Sequence, residues 1–421
     1  MMNKSYFLFC IFGAISTANC FGQAKTITVT NPISIERKDE LVILKRSFLQ
    51  EKLGKIPVNN FIELKENTQP QVVQFNDLDG DGNWDEALFL HTFQPNEKAV
   101  FTATVSVKPM AIKTVVQAHV RQMHKNADQS FGVSVAADTM PFNNQPTDFS
   151  KQKLPPYLTE GPGWENDRVG FRKYFDVRNA NDLWGKITDK MVLDFVGVNP
   201  DSIYHHLGWW GMDILKVGSS LGAGGLALQM KWSNGRDTLI RLGSNAQVIY
   251  KQIANGPLYA AFTMSYRNWQ IGGGFKPVEV TEQISIWGGQ YFFENNVTIK
   301  KAPAGAKIVT GIPDFYNAAM ASIKETSTAG VLTLGRQSEN ADSLGMAIIM
   351  GGENVELEKA NKLGSNIKDA YLLEGDASAH PLRYRYYANW GLSSADDLNM
   401  KSYKKYVEMQ MAIFKAPIIV N

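Results

Sequence analysis

Three consecutive segments read YAAFTMSYRNW (259–269), VEVTEQISIW (278–287) and YFFENNVTIK (291–300). In each of them apolar and polar side chains alternate, which is the period of a β-strand with one buried face. Comparable segments flank them, from ITVTNP (27–32) to RYRYYANWGL (383–392). The sequence therefore predicts an all-β protein, built as one large antiparallel β-sandwich of the supersandwich-like kind.

One segment near the C-terminus has a different period. Asp396–Phe414 carries apolar side chains at helical spacing: Met400, Tyr403, Val407, Met411 and Phe414. Ser394 precedes the segment as a candidate N-cap. The sequence therefore predicts one C-terminal helix, and Arg46–Leu53 is expected to form a short helix or a turn.

The first 23 residues have the features of a signal peptide. Lys4 supplies positive charge, Tyr6–Ile15 is an apolar run too short to span a bilayer, and small residues follow. We predict that residues 1–23 are a signal peptide and that residues 24–421 form a single large β domain. The Pro-, Gln- and Lys-rich stretch 143–157 is either a boundary within that domain or a long loop.

Both cysteines, Cys10 and Cys20, lie within this leader. Once the leader is removed, disulfides and thiol chemistry are excluded from the mature chain. Cys20 alternatively ends a degenerate lipobox, TANC, and would then anchor the protein through a lipid. No other segment approaches transmembrane length, so the protein is predicted to be exported to the periplasm, secreted or attached to a membrane surface.

The charge balance excludes one class of partner. The chain has 43 basic and 41 acidic residues, a formal net charge of +2, and no basic run, which argues against a general nucleic-acid binder. Nucleotide-binding loops, HExxH zinc motifs and GxSxG elbows are also missing from the sequence. The glycine-rich LGAGGL (221–226) lacks a lysine and precedes a predicted strand, so it is interpreted as a turn.

One motif resembles a calcium-binding loop. NDLDGDGNWDE (76–86) places four carboxylates at positions 1, 3, 5 and 9 of such a loop: Asp77, Asp79, Asp81 and Asp85. Gly82 stands at position 6, but Leu88 replaces the usual bidentate glutamate at position 12. The motif predicts a structural Ca²⁺ site, or alternatively an Asp/Gly hairpin with solvated carboxylates.

The densest group of polar and aromatic side chains lies in Trp164–Leu226, which includes WENDRVGFRKY and SIYHHLGWWGMDILKVGSSLGAGGL. His205 and His206 are adjacent, and neighbours on a strand point to opposite faces, so at most one of them is expected to enter a site. His205 is favoured as a proton-transfer group. Alternatively, both histidines are turn residues bonded to the backbone.

Two arginines of this segment, Arg168 and Arg172, are spaced to share one face of a strand. Paired guanidinium groups can bind a carboxylate or sulfate bidentately, although structural ion pairs with nearby acidic residues are the alternative. Tyr266–Arg267 and the run Arg383–Tyr387 form two further Arg/Tyr clusters. In each, the tyrosine is either a proton donor or base, or part of a cross-strand packing pair.

Three motifs, WENDRVGFRKY, GMDILKVGSSLGAGGL and NDLDGDGNWDE, resemble a family of secreted bacterial proteins known under a domain-of-unknown-function label. The resemblance covers Lys25–Asn421, and members are often found with polysaccharide-degrading enzymes. One member, associated with degradation of the algal polysaccharide ulvan, is an oligosaccharide dehydratase. The resemblance implies that this protein removes water from a non-reducing-end uronic acid and leaves a 4,5-unsaturated uronate.

That reaction needs cations for the carboxylate, a base for the C5 proton and an acid for the C4 hydroxyl. Catalytic roles are predicted for His205, His206 and Tyr266, with Asp213 orienting the histidine. Binding of the acidic oligosaccharide is predicted for Arg168, Arg172, Trp209, Trp210, Lys216 and Arg267. No cofactor is needed for this chemistry.

The same residue types suit three other activities. A polysaccharide lyase performs the same elimination but expels a sugar instead of water. A non-catalytic glycan-binding protein would use the Trp and Arg residues without any reaction. A mutarotase- or epimerase-like enzyme would change configuration without forming a double bond.

Overall fold

A computed structural model describes residues 24–112, 114–199, 204–232, 234–243, 245–360, 365–377, 381–393 and 399–421. The predicted signal peptide, with Cys10 and Cys20, lies outside these ranges, so the cleavage and lipidation hypotheses stay predictions. No helix within the described ranges is both long and apolar enough to cross a membrane.

The N-terminal part of the chain forms two small sheets and a short helix. Its elements are β1 (Lys25–Thr30), β2 (Arg37–Lys45), α1 (Arg46–Leu53), β3 (Phe61–Glu66), β4 (Gln69–Pro70), β5 (Gln74–Asn76), β6 (Glu86–Phe93) and β7 (Lys98–Ser106). One sheet contains β1-β7-β3-β4 and the other β2-β6-β5, and all pairs are antiparallel. Ile27, Phe89 and Phe101 belong to the core between these sheets.

The middle of the chain forms a five-stranded antiparallel sheet. The elements are β8 (Ala118–Arg121), β9 (Ala137–Thr139), a 3₁₀ turn (Leu158–Glu160), β10 (Gly163–Asn166), β11 (Val169–Lys173), β12 (Asn181–Lys186) and β13 (Gly211–Asp213). The sheet order is β13-β12-β11-β10-β8, whereas β9 joins another sheet. Residues 143–157, the predicted boundary or loop, lie between β9 and β10.

The remaining strands build two larger sheets. They are β14 (Leu226–Lys231), β15 (Asp237–Arg241), β16 (Gln247–Asn255), β17 (Tyr259–Trp269), β18 (Val278–Trp287), β19 (Phe292–Lys300), β20 (Lys307–Pro313), β21 (Ala319–Glu325), β22 (Thr328–Arg336), β23 (Ser343–Gly351), β24 (Glu356–Lys359), β25 (Ala370–Asp376), β26 (Leu382–Trp390) and β27 (Ile419–Val420). A nine-stranded sheet has the order β21-β22-β23-β26-β19-β18-β17-β16-β9, and a five-stranded sheet the order β15-β14-β20-β25-β24. The strand β27 pairs with β1.

The nine-stranded sheet is the central layer. Side chains on one of its faces, such as Phe262 and Tyr386, share a core with the sheet that contains β11 and with the sheet that contains β14. Side chains on its other face, such as Trp287 and Tyr387, pack with the C-terminal helix and with Leu88 of β6. The prediction of an all-β, antiparallel, sandwich-like fold is confirmed.

The C-terminal helix α2 (Met400–Lys415) covers the outer face of the central sheet. It begins at Met400, where Asn399 forms a capping box with Ser402; the predicted start Asp396 and the predicted cap Ser394 both lie outside the described residues. The predicted apolar residues Tyr403, Val407, Met411 and Phe414 are buried against the sheet. A Cβ on Gly345 would lie 2.7 Å from the Tyr403 ring, so glycine allows the helix to approach closely.

Candidate active site

The candidate site lies on one face of the sheet that contains β11, β12 and β13. Arg172 of β11 stands opposite Asp182 of β12, and Asp213 of β13 stands opposite Trp184. Because positions 182 and 184 are two residues apart on one strand, they project to the same face. Strand register therefore brings Arg172, Asp182 and Asp213 together.

Arg172 is surrounded by acceptors. Its Nη2 donates to Oδ2 of Asp182 at 2.7 Å and to Oδ2 of Asp213 at 3.2 Å, and its Nη1 lies 3.4 Å from Oε2 of Glu160. The Tyr174 hydroxyl also donates to Asp182, at 2.8 Å. All these side chains are buried. Three carboxylates thus surround one arginine, whose charge serves to hold them in place.

The backbone beside this network has an unusual conformation. Thr159 and Glu160 are consecutive, buried, non-glycine residues with φ of 47° and 66°. The Thr159 carbonyl accepts from Arg172 Nη1 at 3.1 Å, and its hydroxyl accepts from Arg121 at 2.7 Å. Left-handed backbone at such residues costs energy and is often kept at functional sites, where surrounding contacts enforce it.

Tyr204 and His205 connect the buried network to solvent. The Tyr204 hydroxyl accepts from Arg172 Nη1 at 3.1 Å, and the centres of the Tyr204 and His205 rings lie 4.5 Å apart. Nδ1 of His205 lies 3.4 Å from Oδ2 of Asp213, while 59% of the His205 side chain is exposed. The backbone N–H of Asp213 donates to the Tyr204 carbonyl at 2.9 Å, which ties this loop to β13.

His205 and Tyr204 are both held in their neutral forms near neutral pH. Burial and the nearby Arg172 lower the pKa of His205 below its ordinary value of 6.5. Burial raises the pKa of Tyr204, against the opposing effect of Arg172. Burial and Asp182 likewise raise the pKa of Asp213. A neutral imidazole beside a protonated phenol is a base next to an acid.

A second chain segment completes the rim of this site. The exposed Lys216 ammonium lies 5.1 Å from the centre of the Phe315 ring and 5.7 Å from that of Tyr316. The Tyr316 hydroxyl donates to Glu339, whose charge acts on His205. Lys216, a solvent-accessible cation, is thereby linked to the surroundings of His205 through Tyr316 and Glu339.

The predicted arginine pair is not formed. Arg168 lies in the turn before β11 and is 46% exposed beside Asp167, whereas Arg172 is 2% exposed within its network. Arg168 lines a different cavity of about 170 Å³, together with Lys186 and Thr188. Strand periodicity does not extend into the turn, so the two arginines have separate surroundings, and Arg172 forms the structural ion pairs that were the alternative.

The Tyr266–Arg267 cluster is also separate from this site. Tyr266 is fully buried between sheets, where its hydroxyl bonds to Glu282 at 2.7 Å and Asn179 at 3.0 Å. This burial argues against the catalytic role predicted for Tyr266, because no substrate reaches it. Arg267 is exposed near the irregular end of β17, where its charge helps to lower the pKa of Glu279.

The two tryptophans have different surroundings. Trp209 is 66% exposed in the loop that carries His205, and His206 is exposed there too. Trp210 is buried, with its ring 5.9 Å from that of Trp184. Trp209 can therefore face a sugar, whereas Trp210 is a core residue, contrary to the binding role predicted for it.

The acidic loop lies between β5 and β6, in the N-terminal sheets. Carboxylate oxygens of Asp77, Asp79 and Asp85 lie within 4.8 Å of one another, so these three fit a hard divalent cation. Backbone N–H groups of Gly80 and Gly82 donate to Asp77 at 2.7 and 2.8 Å, which lowers the pKa of that carboxyl. Asp81 is outside this group of three, and the calcium site stays a prediction.

Sequence reasoning found His205, Asp213 and Lys216 but gave no role to Tyr204, Asp182 or Glu160. Arg172 and Asp182 are ten residues apart on consecutive strands, so a correct hairpin register would have paired them. Tyr316 and Glu339 come from distant parts of the chain, and the sequence carries no local signal that would bring them here.

Comparisons with known proteins show the family. Residues 29–420 match the domain of unknown function DUF4861, and the chain belongs to that family. It is 25% identical over 311 residues to a protein of Formosa agariphila named uncharacterized protein P7, covering 69% of this chain and 68% of the relative. The prediction of a domain-of-unknown-function family is thereby confirmed.

Two solved structures are similar in outline. They are an alpha-mannosidase from Enterococcus faecalis V583, with a TM-score of 0.45, and a glycosyl hydrolase family 38 protein from Enterococcus faecalis, with a TM-score of 0.44. Sequence identity is 9% to each, and each match covers 94% of this chain. The chain spans slightly less than half the length of either protein, 46% and 47%.

Proposed function

We propose that this member of the DUF4861 family is an exported oligosaccharide dehydratase. It removes water from a saturated uronic acid at the non-reducing end of an ulvan-type oligosaccharide and leaves a 4,5-unsaturated uronate. The observation that carries the proposal is the pairing of Tyr204 and His205 at the solvent end of the Arg172 network. Tyr204 is a protonated acid and His205 a neutral base, and their rings are in contact.

The elimination divides between these two groups. The contact between Nδ1 of His205 and Asp213 orients the imidazole and leaves Nε2 to take the C5 proton. The Tyr204 hydroxyl accepts from Arg172, so its own proton can go to the departing C4 hydroxyl. The C5–H and C4–O bonds break, the C4–C5 double bond forms, and water leaves. Transfer of the proton from His205 to the tyrosinate restores both groups.

The C5 proton is weakly acidic while the neighbouring carboxylate carries its charge. Lys216 takes the neutralising role that the sequence first assigned to two arginines, because Lys216 is exposed and Arg172 is already paired. A cation there stabilises the enolate-like state in which charge moves onto the carboxylate. Trp209 supplies an exposed ring for the sugar next to the reacting one.

Product analysis tests the proposal. The protein is incubated with uronate-ended oligosaccharides, and the ultraviolet absorbance of the double bond and the product masses are recorded. We expect an absorbance increase and a mass lowered by one water at unchanged chain length. Shorter chains with the same absorbance would identify a polysaccharide lyase, and binding without absorbance would identify a glycan-binding protein. Either outcome would overturn the dehydratase assignment.

A further inference from the structure

A cleft formed by other elements lies where β2, the central sheet and α2 meet. It contains two adjoining cavities of about 360 and 370 Å³, which share the residues Arg37, Glu40, Arg385 and Ile413. Each volume falls within the range of about 300–1,000 Å³ that is usual for ligand pockets. None of the residues assigned to the candidate active site lines either cavity.

Three neighbouring strands of the central sheet present polar side chains to this cleft. In the antiparallel register, Glu294 of β19 stands opposite Arg385 of β26 and Ser285 of β18, and Asn296 stands opposite Arg383 and Gln283. The same face is apolar elsewhere, where Tyr387 and Ala347 pack in the core beneath α2. Polar groups in a buried layer cost free energy unless they are paired or used, so this local polarity calls for a function.

Cationic side chains exceed carboxylates among the groups that line the cleft. Its two cavities are lined by the cations Arg37, Lys38, Arg383 and Arg385 and by the acids Glu36, Glu40 and Glu294. Burial raises the pKa of Glu40 despite the nearby arginines. Nε of Arg385 lies 2.9 Å from Glu294, whereas the closest approach of Arg37 to Glu40 is 3.8 Å. The cleft therefore carries excess positive charge, unlike the Arg172 network.

The arginines are held in fixed orientations. The guanidinium carbon of Arg385 lies 4.4 Å from the centre of the Phe292 ring, and that of Arg383 lies 3.9 Å from the Phe414 ring. Arg37 is 1% exposed; its Nε donates to Asn31 at 2.9 Å and its Nη2 to the Ala416 carbonyl. Its Nη1 has no hydrogen-bond acceptor among the described residues. Stacked guanidinium planes of this kind bind oxyanions in their plane.

We propose that this cleft is a second binding site, which takes an anionic group of an acidic oligosaccharide, a uronate carboxylate or a sulfate ester. That the anion belongs to a saccharide rests on the proposed function, whereas the preference for an oxyanion rests on the residues of the cleft alone. Gln283, Ser285 and Asn296 supply neutral hydrogen-bonding groups for sugar hydroxyls. The site would hold part of a longer chain, or a second chain, away from the reacting end.

Binding stoichiometry tests the proposal. Titration calorimetry is performed with a uronate-ended oligosaccharide on the His205→Ala protein, in which turnover is blocked. We expect two binding events, and adding Arg383→Gln should weaken one of them about tenfold or more, because a charge-assisted hydrogen bond is lost. Lys300→Gln, an exposed charge change on β19, should leave both events unchanged.

A second variant distinguishes loss of binding from misfolding. Asn296→Asp adds a negative charge opposite Arg383 and should weaken the same event without removing a stacked side chain. Desulfated and carboxyl-reduced oligosaccharides identify which anion is bound. Binding that neither cleft variant weakens, whether as one event or two, or equal binding of a neutral oligosaccharide would overturn the proposal. Double-bond formation by the wild-type protein is read separately, so failure of the dehydratase assignment remains distinguishable.

Discussion

Two arginine clusters of this protein differ in how their charge is balanced. Arg172 is bonded or paired to three buried carboxylates on the face of one sheet. In the cleft, three arginines and Lys38 face Glu36, Glu40 and Glu294, and Nη1 of Arg37 has no hydrogen-bond acceptor among the described residues. A cation fully compensated by protein groups positions its neighbours, whereas excess cations are available to a ligand. The residue type is the same, and the surrounding carboxylates decide the role.

The largest expected effect is on stability. Arg172→Met should lower the free energy of unfolding by about 3–5 kcal/mol, because it leaves Asp182 and Asp213 buried without their cation. Arg168→Met is the matched control and should change it by about 0.5 kcal/mol or less, because Arg168 is half exposed. Urea unfolding followed by tryptophan fluorescence measures both. Equal losses in the two variants would show that the buried Arg172 network stabilises the fold no more than the half-exposed Arg168 does.

The next effect is on catalysis. His205→Ala should lower kcat by about a hundredfold or more, because the base that takes the C5 proton is lost. His206→Ala, one residue away and exposed, is the control and should keep its activity. Double-bond absorbance gives the rates, and unfolding curves of both variants should match the wild type. Full activity of the His205 variant would remove the proposed base.

Tyr204→Phe tests the acid and should act mainly on kcat. The change removes the hydroxyl that bonds to Arg172 and keeps the ring against His205. We expect kcat to fall about tenfold to a hundredfold with little change in KM. A rise in KM at constant kcat would instead make Tyr204 a binding group.

A smaller effect concerns pH. Because burial and Arg172 lower the pKa of His205, the neutral base persists below the ordinary value of 6.5. Protonation of His205 is less favourable in the folded protein, so the neutral base, and with it the activity, is lost only as pH falls through the lowered pKa. The acidic limb of kcat/KM should lie below pH 6.5. A limb above that value would show that nearby carboxylates dominate over Arg172.

The sequence predicts the fold better than the site, for a physical reason. Strand alternation is a local pattern, so the segments at 259–300 identify a β-sandwich without knowledge of their partners. The site depends on register and on distant contacts: Arg168 and Arg172 have strand spacing, but a turn separates their surroundings. Tyr266 resembles a catalytic tyrosine in sequence, yet burial between sheets pairs it with Glu282.

The acidic loop, in contrast to both arginine clusters, carries excess negative charge at the surface. Asp77, Asp79 and Asp85 lack a cationic partner among the described ion pairs, so we propose that calcium supplies it. Millimolar CaCl₂ should raise Tm by about 2 °C over an EDTA-treated sample, and Asp79→Asn should abolish that shift. Asp81→Asn is the control and should largely keep the shift in Tm, because Asp81 is outside the group of three.

An equal shift in wild type and Asp79→Asn would mean that calcium acts elsewhere. Dehydratase activity should survive EDTA at low temperature, since the loop is absent from the His205 site.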